Sequence, residues 1–326
     1  MATRLLVTGA GGFIGHHMVK YLVKQGYWVR GVDVKEPEYE LSPANEFELL
    51  DLRRWDNCLQ ATRGIDEVIQ LAADMGGIGY ISFHFADSAH NNVLISTHML
   101  EASRINGVSR LFFASSACVY PQTLQSAPDV TALKEEDAHP ADPDEGYGWE
   151  KLFTENLCRY YAEDYGLETR VARFHNIYGP LGTYDGGREK APAAICRKVA
   201  LANDGDEIEI WGDGEQTRSF LYIDDCVEGV TRLLKSNSRG PLNLGTDRLI
   251  TINQLVDLIS QIAGKSLVKR HNISGPQGVR GRNSDNTRVT EELGWKPSVS
   301  LEDGLTITYR WIDAQLMQQR ATLADI

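Results

Sequence analysis

The sequence predicts an α/β fold in which helices cover both faces of a doubly wound parallel sheet. Short apolar runs typical of buried strands alternate with helical segments through the first half of the chain. The first of these runs, residues 5–7, leads into a helix through Gly9, Gly12 and Gly15, which are spaced three residues apart. Since such a sheet binds its ligand at the carboxyl ends of the strands, we expect the functional residues at that edge.

The glycine turn and the helix that follows it predict a dinucleotide site. Gly9 allows a tight turn, Gly12 lets the backbone approach a diphosphate, and Gly15 lets the helix pack closely. Phe13 and Ile14 open that helix, whose free N–H groups and positive dipole end favour phosphate.

Two carboxylates follow the next two predicted strands. Asp33 ends the strand at 28–33, where a carboxylate accepts hydrogen bonds from both ribose hydroxyls and repels a 2′-phosphate, so NAD is favoured. Lys35 leaves some opening for NADP. Asp51 follows the third strand and is expected to meet the adenine amino group, with Leu52 beside it.

The remaining pattern completes the sheet and divides the chain. Further strands are predicted at 46–50, 67–71, 110–114, 168–173, 220–223 and 241–245, and helices at 53–62, 91–106, 147–165, 252–263 and from 224 onwards. We assign 1–175 and 219–245 to a dinucleotide-binding domain, and 176–218 and 246–326 to a smaller mixed α/β lobe that binds substrate.

A glycine-rich loop follows the fourth strand. Leu71, Ala72 and Ala73 are expected to place small side chains beside the cofactor. The glycines at positions 76, 77 and 79 then indicate either a lid or close approach to a ligand, with a plain surface loop as the alternative.

Composition excludes several classes of protein. The net charge of −12 argues against nucleic acid as a partner, and no apolar run reaches the length of a membrane span. The five cysteines are dispersed without a C-x-x-C pair, which predicts neither disulfides nor a metal site. Because the chain enters its first strand at once, without a signal segment, we expect a cytoplasmic location.

Three side chains near the strand ends have the chemistry of a dehydrogenase. Tyr147 and Lys151 lie one helical turn apart, so both face the same way. A lysine ammonium, helped by the positive nicotinamide, favours the phenolate, and we expect the two charges to lower the pKa of Tyr147 so that the tyrosine can take a hydroxyl proton. Ser116, after the fifth strand, is expected to hydrogen-bond the same hydroxyl.

These motifs resemble the extended short-chain dehydrogenase/reductase family that acts on nucleotide sugars. Four longer strings, at 71–77, 115–121, 187–192 and 278–285, resemble members of that family that act on GDP-mannose. The resemblance implies bound NAD, oxidation of C4, inversion of C3 and C5 to give GDP-L-galactose with GDP-L-gulose as the 5-epimer, re-reduction, and a homodimer.

Inversion requires a base on one face of the sugar and an acid on the other. A ketone at C4 makes the C3 and C5 protons removable, because an enolate can hold the charge. Cys118 lies two residues after Ser116, and Lys190, beside Glu189, comes from the second lobe. The resemblance carries Cys118 and Lys190 over as acid and base, with their assignment at each carbon open, and Tyr147 and Lys151 as the redox pair.

Substrate anchoring is expected from basic residues of the second lobe. A sugar-nucleotide diphosphate needs cationic donors, and arginine suits bidentate contact with it. The basic candidates are Arg188, Lys190, Arg197, Lys198, Arg218, Arg280 and Arg282. The resemblance assigns substrate contact to Gly76, Asn176, Lys198, Gln216, Arg218 and Arg282. Trp211 is expected either to shape the nucleotide pocket or to pack in the core, and His175 to be a hydrogen-bonded core residue.

Three other functions account for these motifs less fully. A nucleotide-sugar 4,6-dehydratase would carry an acidic pair where Ala117 and Cys118 stand. A 4-epimerase would share the redox residues and have no need of Cys118 or Lys190. An NAD-sensing binding module would have no reason to keep Ser116, Tyr147 and Lys151 together.

Overall fold

Seven parallel strands run through the middle of the molecule. The computed structural model describes residues 3–77, 80 and 83–324; Gly79 of the glycine-rich loop lies outside them. Within these residues the strands are β1 (Arg4–Thr8), β2 (Trp28–Asp33), β3 (Glu46–Leu49), β4 (Glu67–Gln70), β5 (Arg110–Ser116), β6 (Glu168–Phe174), β7 (Ile177–Tyr178), β8 (Glu207–Trp211), β9 (Thr217–Arg218), β10 (Leu221–Tyr222), β11 (Pro241–Leu244), β12 (Ile250–Thr251), β13 (Val268–Asn272) and β14 (Gly281–Arg282). The main sheet has the order β11-β6-β5-β4-β1-β2-β3. The predicted doubly wound parallel sheet is therefore confirmed.

Helices cover both faces of this sheet and build the second part of the chain. They are α1 (Phe13–Lys24), α2 (Trp55–Thr62), α3 (Phe85–Ile105), α4 (Tyr147–Tyr165), α5 (Ala191–Leu201), α6 (Ile223–Lys235), α7 (Ile252–Ala263), α8 (Thr287–Leu293) and α9 (Leu301–Ala324). In the described part of the chain, none of the helices combines the length and the apolar character that crossing a membrane requires.

Alternation along the first strand divides the apolar core between the two faces. Leu5 and Val7 point to one side, where α1 and α6 pack, and Leu6 points to the other, where α2 and α3 pack. The first of these clusters continues without interruption into α5, α7 and α9, which lie beyond the sheet. The two predicted parts of the chain therefore share one apolar core.

One predicted helix is longer than its apolar pattern indicates. We predicted a start at residue 91, whereas α3 begins at Phe85. Polar contacts hold the additional turn, because Ser88 and Asn92 both donate from their side chains to the backbone oxygen of Asp74, each at 3.1 Å. Such contacts leave no apolar periodicity in the sequence.

The start of α4 lies directly against the turn that follows β5. Ser116 ends β5, and residues 117–119 form a short 3-10 turn that carries Cys118. A Cβ atom placed on Gly148 would lie 2.4 Å from the backbone oxygen of Cys118, so only glycine permits this approach. The close packing brings Tyr147 beside Ser116 and Cys118.

Candidate active site

Two large cavities meet at the carboxyl edge of the main sheet. The first, about 760 Å³, extends from the glycine turn to Lys151, and we call it the dinucleotide cavity. The second, about 710 Å³, extends from Cys118 to β8 and α7, and we call it the sugar cavity. Ser116, Tyr147 and Lys190 are among the residues that line both, so these side chains can contact a group bound in either cavity.

All predicted cofactor residues line the dinucleotide cavity. They are Gly9, Gly12, Phe13, Ile14, Gly15, Asp33, Asp51, Leu52, Leu71, Ala72, Ala73, Tyr147 and Lys151. Arg53 and Asn91 also line it. Sequence reasoning missed these two, because neither belongs to a motif that identifies a dinucleotide site.

The glycine turn fits a diphosphate. Gly9 has a φ of +68°, a value that favours glycine, and accepts a hydrogen bond from the amide of Gly12 at 3.0 Å. Gly12 is the N-cap of α1 and supplies no side-chain cap to its first turn. The free N–H groups of that turn and the positive end of the helix dipole therefore suit an anion.

Asp33 provides a fixed carboxylate at the adenosine end of this cavity. It accepts backbone hydrogen bonds from Gly11 at 2.9 Å and Val34 at 2.6 Å. Burial raises the pKa of Asp33, while these N–H donors lower it. Nearby, both carboxylate oxygens of Asp51 accept from Arg53, at 2.9 and 2.7 Å, which lowers the pKa of Asp51.

The three residues predicted to form the redox triad lie together, and the pKa of the tyrosine is raised in the protein without cofactor. The Lys151 ammonium lies 5.3 Å from the centre of the Tyr147 ring, and the neighbouring Ser116 hydroxyl lowers the pKa of the phenol. The expectation that Lys151 and the positive nicotinamide together lower the pKa of Tyr147 stays a prediction for the NAD-loaded protein. Burial raises the pKa of Tyr147, and the charge of Glu150 raises it further.

Glu150 is a functional neighbour that sequence reasoning missed. Its carboxylate is buried and lies 3.6 Å from the Lys151 ammonium. Burial raises the pKa of Glu150, and the charge of Lys151 opposes that shift. The Lys151 charge therefore favours the ionised form of Glu150.

The sugar cavity brings together ten of the residues predicted to contact substrate, whereas the basic candidates Arg188 and Arg197 do not line it. The ten are Gly76, Ser116, Cys118, Asn176, Glu189, Lys190, Lys198, Gln216, Arg218 and Arg282. Arg280 is not brought to the cavity, because its guanidinium pairs with Asp213 at 2.9 and 3.1 Å on the surface. His175 is fully buried and bonds Asn243 at 3.0 Å.

Cys118 lies at the floor of the sugar cavity. Its backbone amide donates to the Ser116 hydroxyl at 3.2 Å, which caps the 3-10 turn. The Arg282 guanidinium donates to its sulfur at 3.4 Å. Burial raises the pKa of the Cys118 thiol, Asp144 raises it further, and Arg282 opposes both effects.

Lys190 belongs to the second lobe, where it is the N-cap residue of α5. Burial lowers the pKa of Lys190, while the nearby thiol of Cys118 raises it. A lysine with a lowered pKa can exchange a proton near neutral pH. The thiol of Cys118 and the amine of Lys190 therefore line the same cavity as Tyr147.

Arg218 is a cavity-lining cation whose arrangement suits an anionic ligand. Its guanidinium donates to the backbone oxygens of Thr217 and Val279, both at 2.7 Å, and pairs with no carboxylate among the described residues. Burial and the charge of Arg282 lower the pKa of Arg218 to about 9. A bound diphosphate would supply the missing counter-charge.

The far wall of the sugar cavity is apolar. Ile208 and Ile210 of β8, Val256 of α7 and Pro276 line it, together with Trp211. Trp211 is about two-fifths exposed, so it belongs to the cavity rather than to the core. A flat ring can lie on this wall while the cations hold the phosphates.

The fold and the paired cavities define a class of NAD-using sugar-nucleotide enzymes, and comparison with known proteins agrees. Residues 5–245 match the model of the NAD dependent epimerase/dehydratase family, and the chain belongs to this family. The NAD prediction is thereby confirmed. Solved structures that are similar include the UDP-glucose 4-epimerase of Thermotoga maritima with UDP-glucose, with a TM-score of 0.85, 30% identity, and coverage of 96% of this chain and 100% of that one.

Two plant proteins share about half of their aligned residues with this chain. The chain is 51% identical to GDP-mannose 3,5-epimerase 1 of Oryza sativa subsp. japonica over 325 residues, which cover 99% of this chain and 85% of that protein. It is 49% identical to GDP-mannose 3,5-epimerase of Arabidopsis thaliana over the same shares of each chain. A UDP-glucuronic acid 4-epimerase from Bacillus cereus, in complex with UDP-glucuronic acid and NAD, has a TM-score of 0.82 at 28% identity and covers 96% of this chain and 100% of that one.

Proposed function

We propose that this chain is an NAD-dependent isomerase that inverts C3 and C5 of GDP-mannose. The product is GDP-L-galactose, with GDP-L-gulose as the 5-epimer. The observation that carries the proposal is the placement of Cys118 and Lys190 in the sugar cavity that shares Ser116 and Tyr147 with the dinucleotide cavity. The similarity to the two plant GDP-mannose 3,5-epimerases supports the choice of sugar nucleotide.

The dinucleotide cavity residues hold NAD in this proposal. The free N–H groups at the start of α1 bind its diphosphate, and Asp33 accepts from the adenosine ribose. When bound, NAD would supply the acceptor for a hydride from the sugar and the source for its return. The positive charge of the nicotinamide would oppose the effects that raise the pKa of Tyr147, which would make the tyrosine a stronger base.

Tyr147, Ser116 and Lys151 handle the proton of the C4 hydroxyl. Ser116 bonds that hydroxyl and aligns it with the Tyr147 oxygen, which takes the proton as the carbon becomes a ketone. Lys151 stabilises the resulting phenolate from within the same helix face. The reverse transfer returns the proton at the end of the cycle.

Cys118 and Lys190 then act on the two carbons beside the ketone. One removes the proton from C3 or C5 and the other delivers a proton to the opposite face, which inverts the carbon. Arg282 stabilises negative charge at the sulfur, at 3.4 Å. Burial lowers the pKa of Lys190, which favours the neutral amine over the ammonium.

The remaining sugar-cavity residues anchor the nucleotide. Arg218 and Lys198 contact the diphosphate, and Gln216 and Asn176 bond polar groups of the substrate. These four residues belong to the segments 176–218 and 246–326, as does Lys190. This supports the assignment of the two segments to the substrate-binding lobe.

A 4-epimerase is the second candidate. Its support is the similarity to the UDP-glucose 4-epimerase structure at a TM-score of 0.85. It would use Ser116, Tyr147 and Lys151 in the same way, and Cys118 and Lys190 would take no part in catalysis.

The deciding experiment incubates the NAD-loaded protein with GDP-mannose in deuterium oxide and analyses the recovered sugars by NMR. We expect GDP-L-galactose and GDP-L-gulose, with deuterium at C3 and C5 of the former. Inversion at C4 alone, with no deuterium at C3 or C5, would establish the 4-epimerase instead. UDP-glucose serves as the control substrate, for which no 3,5-inversion is expected.

We also propose a homodimer that acts in the cytoplasm. The support for the dimer is a row of half-exposed aromatic side chains on α4, namely Trp149, Phe153 and Tyr160. The support for the location is that all five cysteines are free and buried. Light scattering of the wild type and of Phe153→Asp tests the dimer, and cell fractionation tests the location.

A further inference from the structure

Arg282 is held from three directions at the floor of the sugar cavity. Its Nε donates to the side-chain oxygen of Gln125, one Nη donates to Asp144 at 3.2 Å, and the other donates to the Cys118 sulfur at 3.4 Å. The side chain is almost fully buried. The guanidinium is therefore fixed in place before any substrate binds.

Asp144 connects this arginine to the segment that carries Cys118. Its backbone amide donates to the backbone oxygen of Cys118 at 2.9 Å, and its carboxylate pairs with Arg282. The Asp144 side chain is 23% exposed, whereas Cys118 is 8% exposed. A partly solvated carboxylate thus stands next to a buried sulfur, and both line the sugar cavity.

We propose that Asp144 is a positioning residue that acts through Arg282 to set the balance between thiol and thiolate at Cys118. The significance of this balance for epimerisation rests on the proposed function. The sequence pattern did not single out Asp144, since it lies in a polar loop, 26 residues after Cys118 in the chain.

The physical reason lies in opposed charges around one sulfur. The Arg282 cation favours the thiolate, and the Asp144 anion favours the thiol both directly and by neutralising part of the arginine charge. Lys190 from the N-cap of α5, Tyr147 from α4 and Arg218 from β9 are the other titratable groups that interact with Cys118. A group that gives up and takes back a proton in one catalytic cycle must be able to populate both its protonated and its deprotonated form.

Alkylation of Cys118 measures this balance without any turnover. The thiolate attacks iodoacetamide, the carbon–sulfur bond forms as iodide leaves, and the thiol proton has already passed to solvent. The other four cysteines are fully buried, and Cys118→Ala gives their background labelling. The NAD-loaded protein is labelled between pH 6 and pH 10, and the apparent pKa is read from the rate of modification at residue 118 by mass spectrometry.

Asp144→Asn is expected to lower that apparent pKa, because it removes the negative charge and frees Arg282 for the sulfur. We expect about a threefold to tenfold faster alkylation at pH 7.5, the effect of one partly screened charge close to the sulfur. Asp144→Glu restores the charge and is expected to return the profile most of the way to that of the wild type. Asp185→Asn, which breaks an exposed pair with Arg197 at 3.0 Å, is the matched control and is expected to leave the profile unchanged.

An Asp144→Asn profile that overlays the wild type would overturn the proposal, as would an equal shift in Asp185→Asn. Because the readout is the reactivity of one sulfur, it holds whether or not the protein epimerises GDP-mannose. If epimerisation is also observed, the acid limb of deuterium incorporation in Asp144→Asn is expected to shift to lower pH by the same amount.

Discussion

The Lys151 ammonium lies 5.3 Å from the centre of the Tyr147 ring and 3.6 Å from the carboxylate of Glu150. The lysine is 3% exposed, so both interactions occur away from water. A buried cation that pairs with a carboxylate stabilises a nearby phenolate less than an unpaired cation would. We therefore expect Tyr147 to need the positive charge of bound NAD to become a base.

Tyr147→Phe is expected to abolish epimerisation while leaving NAD bound. Without the phenol oxygen nothing accepts the C4 hydroxyl proton, and every later step requires the ketone. We expect loss of product and of deuterium at C3 and C5 by at least about a hundredfold, the usual scale for removing a general base. Product formation is followed by NMR and bound NAD by absorbance after denaturation; normal deuterium incorporation in this variant would contradict the assignment.

Cys118→Ala and Lys190→Met are expected to separate the redox step from the inversion. Each variant lacks one of the two groups that move the C3 and C5 protons, while Ser116, Tyr147 and Lys151 remain. We expect deuterium incorporation at C3 and C5 to be lost, and transient reduction of the bound NAD on adding GDP-mannose to persist. Absorbance at the reduced-nicotinamide band checks this; wild-type exchange in Cys118→Ala would remove the cysteine from its role.

Arg218→Lys is expected to raise KM for the sugar nucleotide with little effect on NAD binding. The guanidinium donates to the backbone oxygens of Thr217, Gln277 and Val279, and lysine cannot reproduce its planar set of donors. Loss of one charge-assisted contact of about 1.5 to 3 kcal/mol corresponds to roughly a tenfold to hundredfold increase in KM. Arg248→Lys, at an exposed pair with Glu302, is the control, and an equal increase there would point to a general effect on stability.

His175→Gln is expected to make folding stability less dependent on pH. Burial lowers the pKa of His175 from 6.5 to about 3, so between these values the unfolded chain binds more protons than the folded chain. The neutral histidine's contribution is fully present above pH 6.5 and is lost as the pH falls towards 3, by up to about 1.4 kcal/mol per pH unit. Thermal unfolding at pH 5 and pH 7.5 measures this slope; His271→Gln, at an exposed histidine, should keep the wild-type slope.

The main sheet was predictable because its strands are short apolar runs and its ligand edge follows from parallel topology. Gly9 and Asp33 were found by their spacing alone, and the structure places both at the dinucleotide cavity. Asp144 and Glu150 were not predictable, because their importance arises from buried contacts with Arg282 and Lys151 that no local pattern records.

Two residues follow surroundings that their positions in the sequence do not show. Arg280 carries the same charge as Arg282, but its neighbour in space is Asp213 and not the cavity. The pKa of Tyr147 follows burial more than its spacing from Lys151. Residue type and spacing identify candidates, whereas solvent exposure and the nearest counter-charge decide how each one behaves.

The apolar cluster that joins the first strand to the helices near the end of the chain limits how such an enzyme can be redesigned. Leu5 and Val7 belong to the same packed cluster as Leu255 and Ile259 of α7. Replacing the whole lobe with that of a relative would mismatch side-chain volumes within this cluster and create cavities. Replacing individual cavity-lining residues is therefore the less disruptive way to a new sugar preference.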